Sequence, residues 1–281
     1  RVEKIFGKGW TPEYDTLDTF VDSSWYFLRY LASKNEHSFS DDALMRTWLP
    51  VERYSGGSEH TTMHLLYARF LYKALNDLGL VPGDEPFTER FNRGIILGPD
   101  GQKMSKRWGN VVNPDEMVEA YGADAVRMYL AFVGPYNEAG HYPWKQEGVE
   151  ATRRFLDRVY ALSTTLSDTE VSTDEIYAIT KAQIKITTDS ERFKFNTALS
   201  ALMVCLNVFE KQKQVSKSAF LSFLRLLAPF APHLTEHVFD VLGGEGSIHA
   251  TVLPAVDSTL LASETDTIIV QINGKKRGEL T

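Results

Sequence analysis

Cysteine is almost absent from this 281-residue chain: Cys205 is the only one. A disulfide framework is therefore excluded, as is a thiolate cluster for a metal, and a reducing, cytoplasmic setting is expected. No apolar run approaches the roughly 18 to 20 residues needed to span a bilayer, so no membrane partner is expected. Basic charge is also lacking, with 15 Lys and Arg against 20 Asp and Glu in residues 1–144, and 15 against 17 in 145–281. Composition does not announce a nucleic-acid ligand, although a local basic strip is enough to meet phosphates. There is no GxxxxGK[ST] loop and no local signature of a Ser-His-Asp triad, which removes P-loop and serine-hydrolase chemistry. Internal repeats and low-complexity stretches are missing too. The sequence opens on Arg1 without a basic start followed by an apolar stretch, so no signal peptide is expected there and the opening is read as a cut.

What is present is ample apolar content, 43%, with 12% aromatic residues, enough for two folded domains. The first part mixes short apolar runs with amphipathic stretches in the manner of an α/β domain. Tyr54-Ser55-Gly56-Gly57 reads as the end of a strand, and residues 59–78 as a helix with Met63, Leu66, Phe70, Ala74 and Leu78 along its inner face. Gly94-Ile95-Ile96-Leu97 reads as a buried strand leading into the turn Gly98-Pro99-Asp100-Gly101. Asn113 is placed to cap a helix opened by Pro114-Asp115-Glu116, and another helix follows Gly122.

From about Gly148 the pattern is helical. Phe155, Val159, Leu162 and Leu166 form one stripe, and Phe195, Leu199, Leu202, Leu206 and Phe209 a second. Phe220, Phe223, Leu224 and Leu227 form a third, ended by Pro229 and Pro232, and a last helix runs from His233 to the stop at Gly243-Gly244. A plain bundle core accounts for all of these. Residues 267–272 are β-like, and Asn273-Gly274 signals a hairpin.

The sharpest chemical feature is Lys103-Met104-Ser105-Lys106-Arg107, between Gly101 and Gly109. Two lysines three apart on a loop can both reach a polyphosphate and stabilise charge building on a departing pyrophosphate, with the Ser105 hydroxyl as a further donor. A solvated basic turn explains the same residues. In Gly56-Gly57-Ser58-Glu59-His60, at a strand-to-helix junction, glycines let a nucleotide approach the backbone, and Glu59 can accept hydrogen bonds from ribose hydroxyls. Glu59 is equally at home as an acidic residue in a first helical turn. His60 and His64 share a helical face near Tyr67, as pocket wall or as packing groups. A zinc protease would need Glu where Thr61 stands, so no metal site is assigned. The aromatic run Ser23-Ser24-Trp25-Tyr26-Phe27 reads from its residues alone as the start of a core helix.

Taken in order, Asp18-Thr19-Phe20-Val21-Asp22-Ser23-Ser24-Trp25-Tyr26, the glycine turn with Leu65-Leu66-Tyr67-Ala68-Arg69-Phe70, the lysine loop with Gly109-Asn110-Val111-Val112, Tyr121-Gly122-Ala123-Asp124, and Leu227-Ala228-Pro229-Phe230-Ala231-Pro232-His233-Leu234 resemble the leucyl-tRNA synthetases. The likeness runs on to Val270-Gln271-Ile272-Asn273-Gly274-Lys275 and so covers almost the whole chain.

The resemblance implies the C-terminal part of a class I Rossmann catalytic domain (residues 1–145), an all-α anticodon-binding-type bundle (146–250), and the start of a small β-containing module (251–281). It further implies activation of leucine with ATP and Mg2+, and transfer of the leucyl group to tRNA(Leu). Gly56, Gly57 and Glu59, with Met104 and Lys106, would bind ATP; Lys103, Ser105 and Lys106 would act on the phosphates; Tyr54, His60 and His64, with Ser24 and Tyr26, would line the leucine pocket. Three departures matter. Arg107 stands where the signature loop usually ends in serine, the family's His-x-Gly-His is not in this sequence, and neither is its threonine-rich editing domain. The second admits another reading, a non-catalytic tRNA- or partner-binding piece of a split synthetase whose N-terminal half acts in trans. Valyl, isoleucyl and methionyl enzymes share the class I loop and are rivals for substrate identity.

Overall fold

The computed structural model describes residues 2–12, 15–136, 138–253, 268–272 and 275–280, the last two stretches as backbone only. The chain divides into two compact units, residues 1–93 and 94–281. This is a division of packing, distinct from the family-module boundary expected near residue 145.

The first unit holds helices α1 (Val2–Phe6), α2 (Phe20–Ser23), α3 (Tyr26–Tyr30), α4 (Asp42–Trp48) and α5 (His64–Asp77), and strands β1 (Val51–Gly57) and β2 (Phe87–Arg93). β1 and β2 pair in parallel, Tyr54 opposite Arg90 and Gly57 opposite Arg93, with α5 in the crossover between them. This is a β-α-β unit, the arrangement that presents the carboxyl end of a strand and the helix start after it. Its core is Phe27, Leu28, Met45, Leu49, Ala68, Tyr72 and Val81.

The expected inner face of α5 requires correction. His64, Leu65, Ala68 and Tyr72 are buried, whereas Met63, Leu66, Phe70 and Leu78 are exposed. The helix carries two apolar stripes, and periodicity alone cannot choose which one packs within these residues. It also starts later than expected, because residues 58–61 form a 3-10 turn and Met63 breaks from helical geometry (φ −113°, ψ −104°).

The second unit starts with β3 (Ile95–Leu97), which pairs in parallel with β4 (His141–Pro143) and is half-buried rather than fully buried. Helices α6 (Pro114–Tyr121) and α7 (Ala123–Phe132) lie between these strands in sequence, and Asn113 caps α6 by accepting from the Asp115 N–H. The bundle follows: α8 (Gln146–Ser163), α9 (Thr173–Glu191), α10 (Phe195–Phe209), α11 (Lys217–Leu227) and α12 (Pro232–Val241). One continuous core joins α7 to the bundle, including Met128, Tyr129, Phe155, Leu202, Phe209, Phe220, Phe223 and Leu227. Cys205 sits in that core, and burial pushes its thiol up to about 12, so it behaves as an inert apolar residue. Asp124, at the start of α7, accepts from the His233 and Leu234 backbone N–H groups and pairs with the His233 ring, fixing the start of α12. β5 (Ile268–Ile272) and β6 (Lys275–Leu280) pair antiparallel, and the Asn273-Gly274 turn expected between them lies outside the described residues. No described helix is long and apolar enough to cross a membrane.

α9 was not foreseen. Its stripe is diluted by threonine and lysine, yet Ser172-x-x-Glu175 carried the signal of a helix start. The Ser172 hydroxyl accepts from the Glu175 N–H, and the Glu175 carboxylate accepts from the Ser172 N–H and hydroxyl, and also from the Ser216 N–H that precedes α11. Glu175 is only 1% exposed, so its charge is satisfied wholly by these donors. Glu175→Ala is expected to lower stability by about 2–3 kcal/mol, since it removes one end of the capping box and leaves the buried Ser216 N–H unpaired. Urea unfolding checks this, and a loss below about 0.5 kcal/mol, the range of ordinary surface substitutions, would contradict it.

Candidate active site

β1 delivers the residues singled out at the strand end. Tyr54 points its hydroxyl to His64 Nε2 at 2.7 Å and to the Tyr26 hydroxyl at 2.7 Å, so three predicted pocket residues form one hydrogen-bonded chain. The His60 ring lies edge-on to His64 with centroids 6.3 Å apart. Burial and the hydrogen bond shared with Tyr26 raise the Tyr54 pKa, which keeps it a neutral phenol. Burial lowers the His64 pKa from its ordinary value, with His60 and Arg90 adding to the effect, so the ring is held neutral. Nδ1 of His60 and Nδ1 of His64 are both buried without a hydrogen-bond partner among the described residues. Such atoms are costly to leave unpaired, and they are where a polar ligand group gains most. Ser24 is placed differently: its residue is buried and its hydroxyl donates to the Val21 carbonyl at 2.5 Å.

The glycine turn is as tight as its composition suggested. A Cβ on Gly57 would lie 2.3 Å from the Glu59 carboxylate, which folds back over the backbone from the 3-10 turn, and Glu59 itself is exposed. A Cβ on Gly56 would meet the Arg90 guanidinium at 3.3 Å. Arg90 escaped the sequence reading because nothing in its neighbourhood marks it; only the β1–β2 register sets it opposite Tyr54. Its guanidinium donates to the carbonyls of Gly57 (2.7 Å), Tyr54 (3.2 Å) and Phe91 (3.4 Å).

In the second unit the lysine loop is built on one asparagine. The Asn110 side chain accepts from the Ser105 N–H (2.8 Å) and donates to both Asp100 carboxylate oxygens (3.1 Å each) and to the Lys103 carbonyl (3.3 Å). Met104 anchors the loop by packing against the bundle core. Lys103 and Lys106 are exposed. The Ser105 hydroxyl accepts from the Arg107 N–H, and the Arg107 guanidinium lies over the Trp108 ring, 5.5 Å from its centroid. A cation stacked on its own neighbour is held apart from the two lysines by a local contact. A cleft of about 940 Å³ between α9 and α10, lined by Tyr177, Lys181, Lys185, Arg192 and Val204 among others, contains none of the predicted site residues.

Residues 6–141 match the family model described as tRNA synthetases class I (I, L, M and V), and residues 176–281 match the anticodon-binding domain of tRNA ligase. Over 273 residues the chain is 47% identical to a leucine–tRNA ligase of Rubrobacter xylanophilus, covering 94% of this chain, and over 269 residues it is 43% identical to one of Alkaliphilus oremlandii, covering 95%. The chain belongs to the leucyl-tRNA synthetase family. It spans 33% of the length of each of these two relatives. Among solved structures it resembles the ternary complex of Agrobacterium radiobacter K84 agnB2 LeuRS with tRNA and LeuAMS, with a TM-score of 0.81 and 37% identity, over 96% of this chain and 36% of that one.

His64 is thus set in a buried environment that disfavours its charged form. Because the folded pKa of His64 lies below its ordinary 6.5, the folded state resists a proton that the unfolded chain accepts. The stability this confers is complete above about pH 6.5 and is lost as pH falls through the lower folded value. The stability difference between wild type and His64→Gln is therefore expected to shrink between about pH 7.5 and pH 5, measured by urea unfolding at each pH. A difference that stays constant over that range would show that His64 titrates alike in both states.

Proposed function

We propose that the protein containing this chain is a leucine–tRNA ligase: it activates leucine with ATP to leucyl-adenylate and transfers the leucyl group to tRNA(Leu). The observation that carries this reading is the Tyr26-Tyr54-His64 chain with His60, formed in a sequence 43–47% identical to leucine–tRNA ligases. In the first step a carboxylate oxygen of leucine attacks the α-phosphorus of ATP, and the bond to pyrophosphate breaks with the electron pair leaving on oxygen.

The chain's residues take the following parts in our reading. The orphaned imidazole nitrogens of His60 and His64, with Tyr54 and Tyr26, line the leucine pocket, and Ser24 supports it from behind through Val21. Gly56 and Gly57 admit the adenosine, and Glu59 accepts hydrogen bonds from the ribose hydroxyls. Met104 keeps its loop seated on the core while Lys103, Ser105 and Lys106 meet the phosphates. The lysines ion-pair with no described residue, so their charge is available where negative charge develops on pyrophosphate. Mg2+ comes with the nucleotide. No step rests on it. The bundle contributes to tRNA binding, as its match to the anticodon-binding domain supports. Protein beyond these 281 residues, in the same polypeptide or in trans, completes the centre with the His-x-Gly-His segment, and the cytoplasm is the setting.

Amino-acid-dependent ATP–pyrophosphate exchange tests the reading. The full-length protein is expected to exchange with leucine and not with isoleucine, valine or methionine at equal concentration, and exchange driven by one of the other three would assign the enzyme to that amino acid. In the same assay Lys106→Ala is expected to slow exchange about 100-fold while the leucine requirement changes less than about twofold, because the cation acts where charge develops. Equal losses in rate and in leucine binding would remove Lys106 from that role.

A further inference from the structure

We propose that Arg90 is a positioning residue for the nucleotide: it sets the Gly56-Gly57-Ser58-Glu59 turn in the conformation that receives adenosine, and Gly56 is glycine to admit its guanidinium. The inference rests on the reading that this turn holds the adenosine of ATP.

In the parallel ladder Arg90 stands opposite Tyr54, and residues two apart on a strand share a face. The Arg90 side chain can therefore run forward along β1 over Gly56, and it does: a Cβ there would be 3.3 Å from Nη1 and 3.5 Å from Nη2. Beyond Gly56 the guanidinium reaches the Gly57 carbonyl at 2.7 Å while Nη1 stays on the Tyr54 carbonyl at 3.2 Å. The guanidinium thus bridges the last turn of backbone before the 3-10 segment, which has no side-chain cap of its own. Because a trans peptide is planar, fixing the direction of the Gly57 carbonyl also fixes the Ser58 N–H, which points to the opposite side. Arg90 in this way orients the peptide group at which Glu59 begins to fold back.

One end of the guanidinium rests on the Tyr54 carbonyl, in backbone already held by the β1–β2 ladder, and the other end holds the glycine turn, where the ladder stops. Arg90 Nε is buried and has no partner among the described residues, so the side chain is held by main-chain carbonyls through its terminal nitrogens. Lysine, a single ammonium point charge, does not reproduce a planar fork across two carbonyls three residues apart.

Four variants of the full-length enzyme, Arg90→Leu, Arg90→Lys, Gly56→Ala and the Gly56→Ala/Arg90→Leu double mutant, test this in ATP–pyrophosphate exchange with Tm measured alongside. Arg90→Leu is expected to raise the KM for ATP about tenfold, the weight of one charge-assisted hydrogen bond, and to leave the KM for leucine within about twofold. Arg90→Lys is expected to recover less than half of that loss on a logarithmic scale. Gly56→Ala is expected to raise the ATP KM on its own but to add less than about twofold once Arg90 is leucine, since the space is then free. ATP and leucine KM values rising together with a fall in Tm, or Gly56 and Arg90 effects that multiply independently, would overturn the proposal and make Arg90 a structural strut. If the wild-type enzyme shows no leucine-dependent exchange, the functional reading fails by itself. Amide hydrogen exchange in this chain then decides on Arg90: faster exchange across residues 56–61 in Arg90→Leu supports its hold on the turn, and unchanged exchange refutes it.

Discussion

The hydrogen bond between the Tyr54 hydroxyl and His64 Nε2 is the contact on which the first unit's site depends. It joins the strand that ends in the glycine turn to the helix that starts after it, so the two sides of the β1–α5 junction cannot shift independently. Tyr26, from a third element, closes the chain from the other side of the phenol. Burial makes the arrangement selective: Tyr54 resists deprotonation and His64 resists protonation. What is left over is the pair of imidazole Nδ1 atoms, buried and unpaired, which need a partner that the described protein does not provide.

A similar economy governs the lysine loop. Asn110 and Asp100 hold its backbone, Met104 seats it on the core, and Trp108 engages Arg107. None of the polar contacts that shape the loop ties down the Lys103 or Lys106 ammonium group. A loop organised like this keeps two cations at a fixed spacing while leaving their charges for a ligand, which is what stabilising a departing pyrophosphate requires. Arg107, the departure from the family's serine, has a local partner, so the substitution need not disturb the lysines.

Much of this was legible in the residues. The end of β1, the cap at Asn113, the stripes of α10 and α11 and the residues of the lysine loop all follow from local rules: turn chemistry, side-chain capping and 3.6-residue periodicity. Four features did not follow. The buried face of α5 was misassigned because Leu65-Ala68-Tyr72 and Met63-Leu66-Phe70 are both apolar stripes, and which one packs depends on tertiary partners. α9 was missed because a weak stripe hid a strong cap, Ser172-x-x-Glu175. Arg90 was invisible because its importance comes from strand register. The close packing of residues 94–145 with the bundle likewise depends on long-range contacts such as Asp124 with the start of α12. Local chemistry is written in short stretches of sequence, whereas pairing across the fold is not.

The most direct measurement of the central proposal, that the β1–α5 junction in the first unit and the lysine loop in the second each respond to leucyl-adenylate, is hydrogen exchange of the full-length protein with and without a non-hydrolysable leucyl-adenylate analogue. The account predicts slower exchange in peptides covering residues 54–64 and 101–110, with α9 and α10 unchanged. Protection confined to the α9–α10 cleft, or none across residues 54–64, would contradict it.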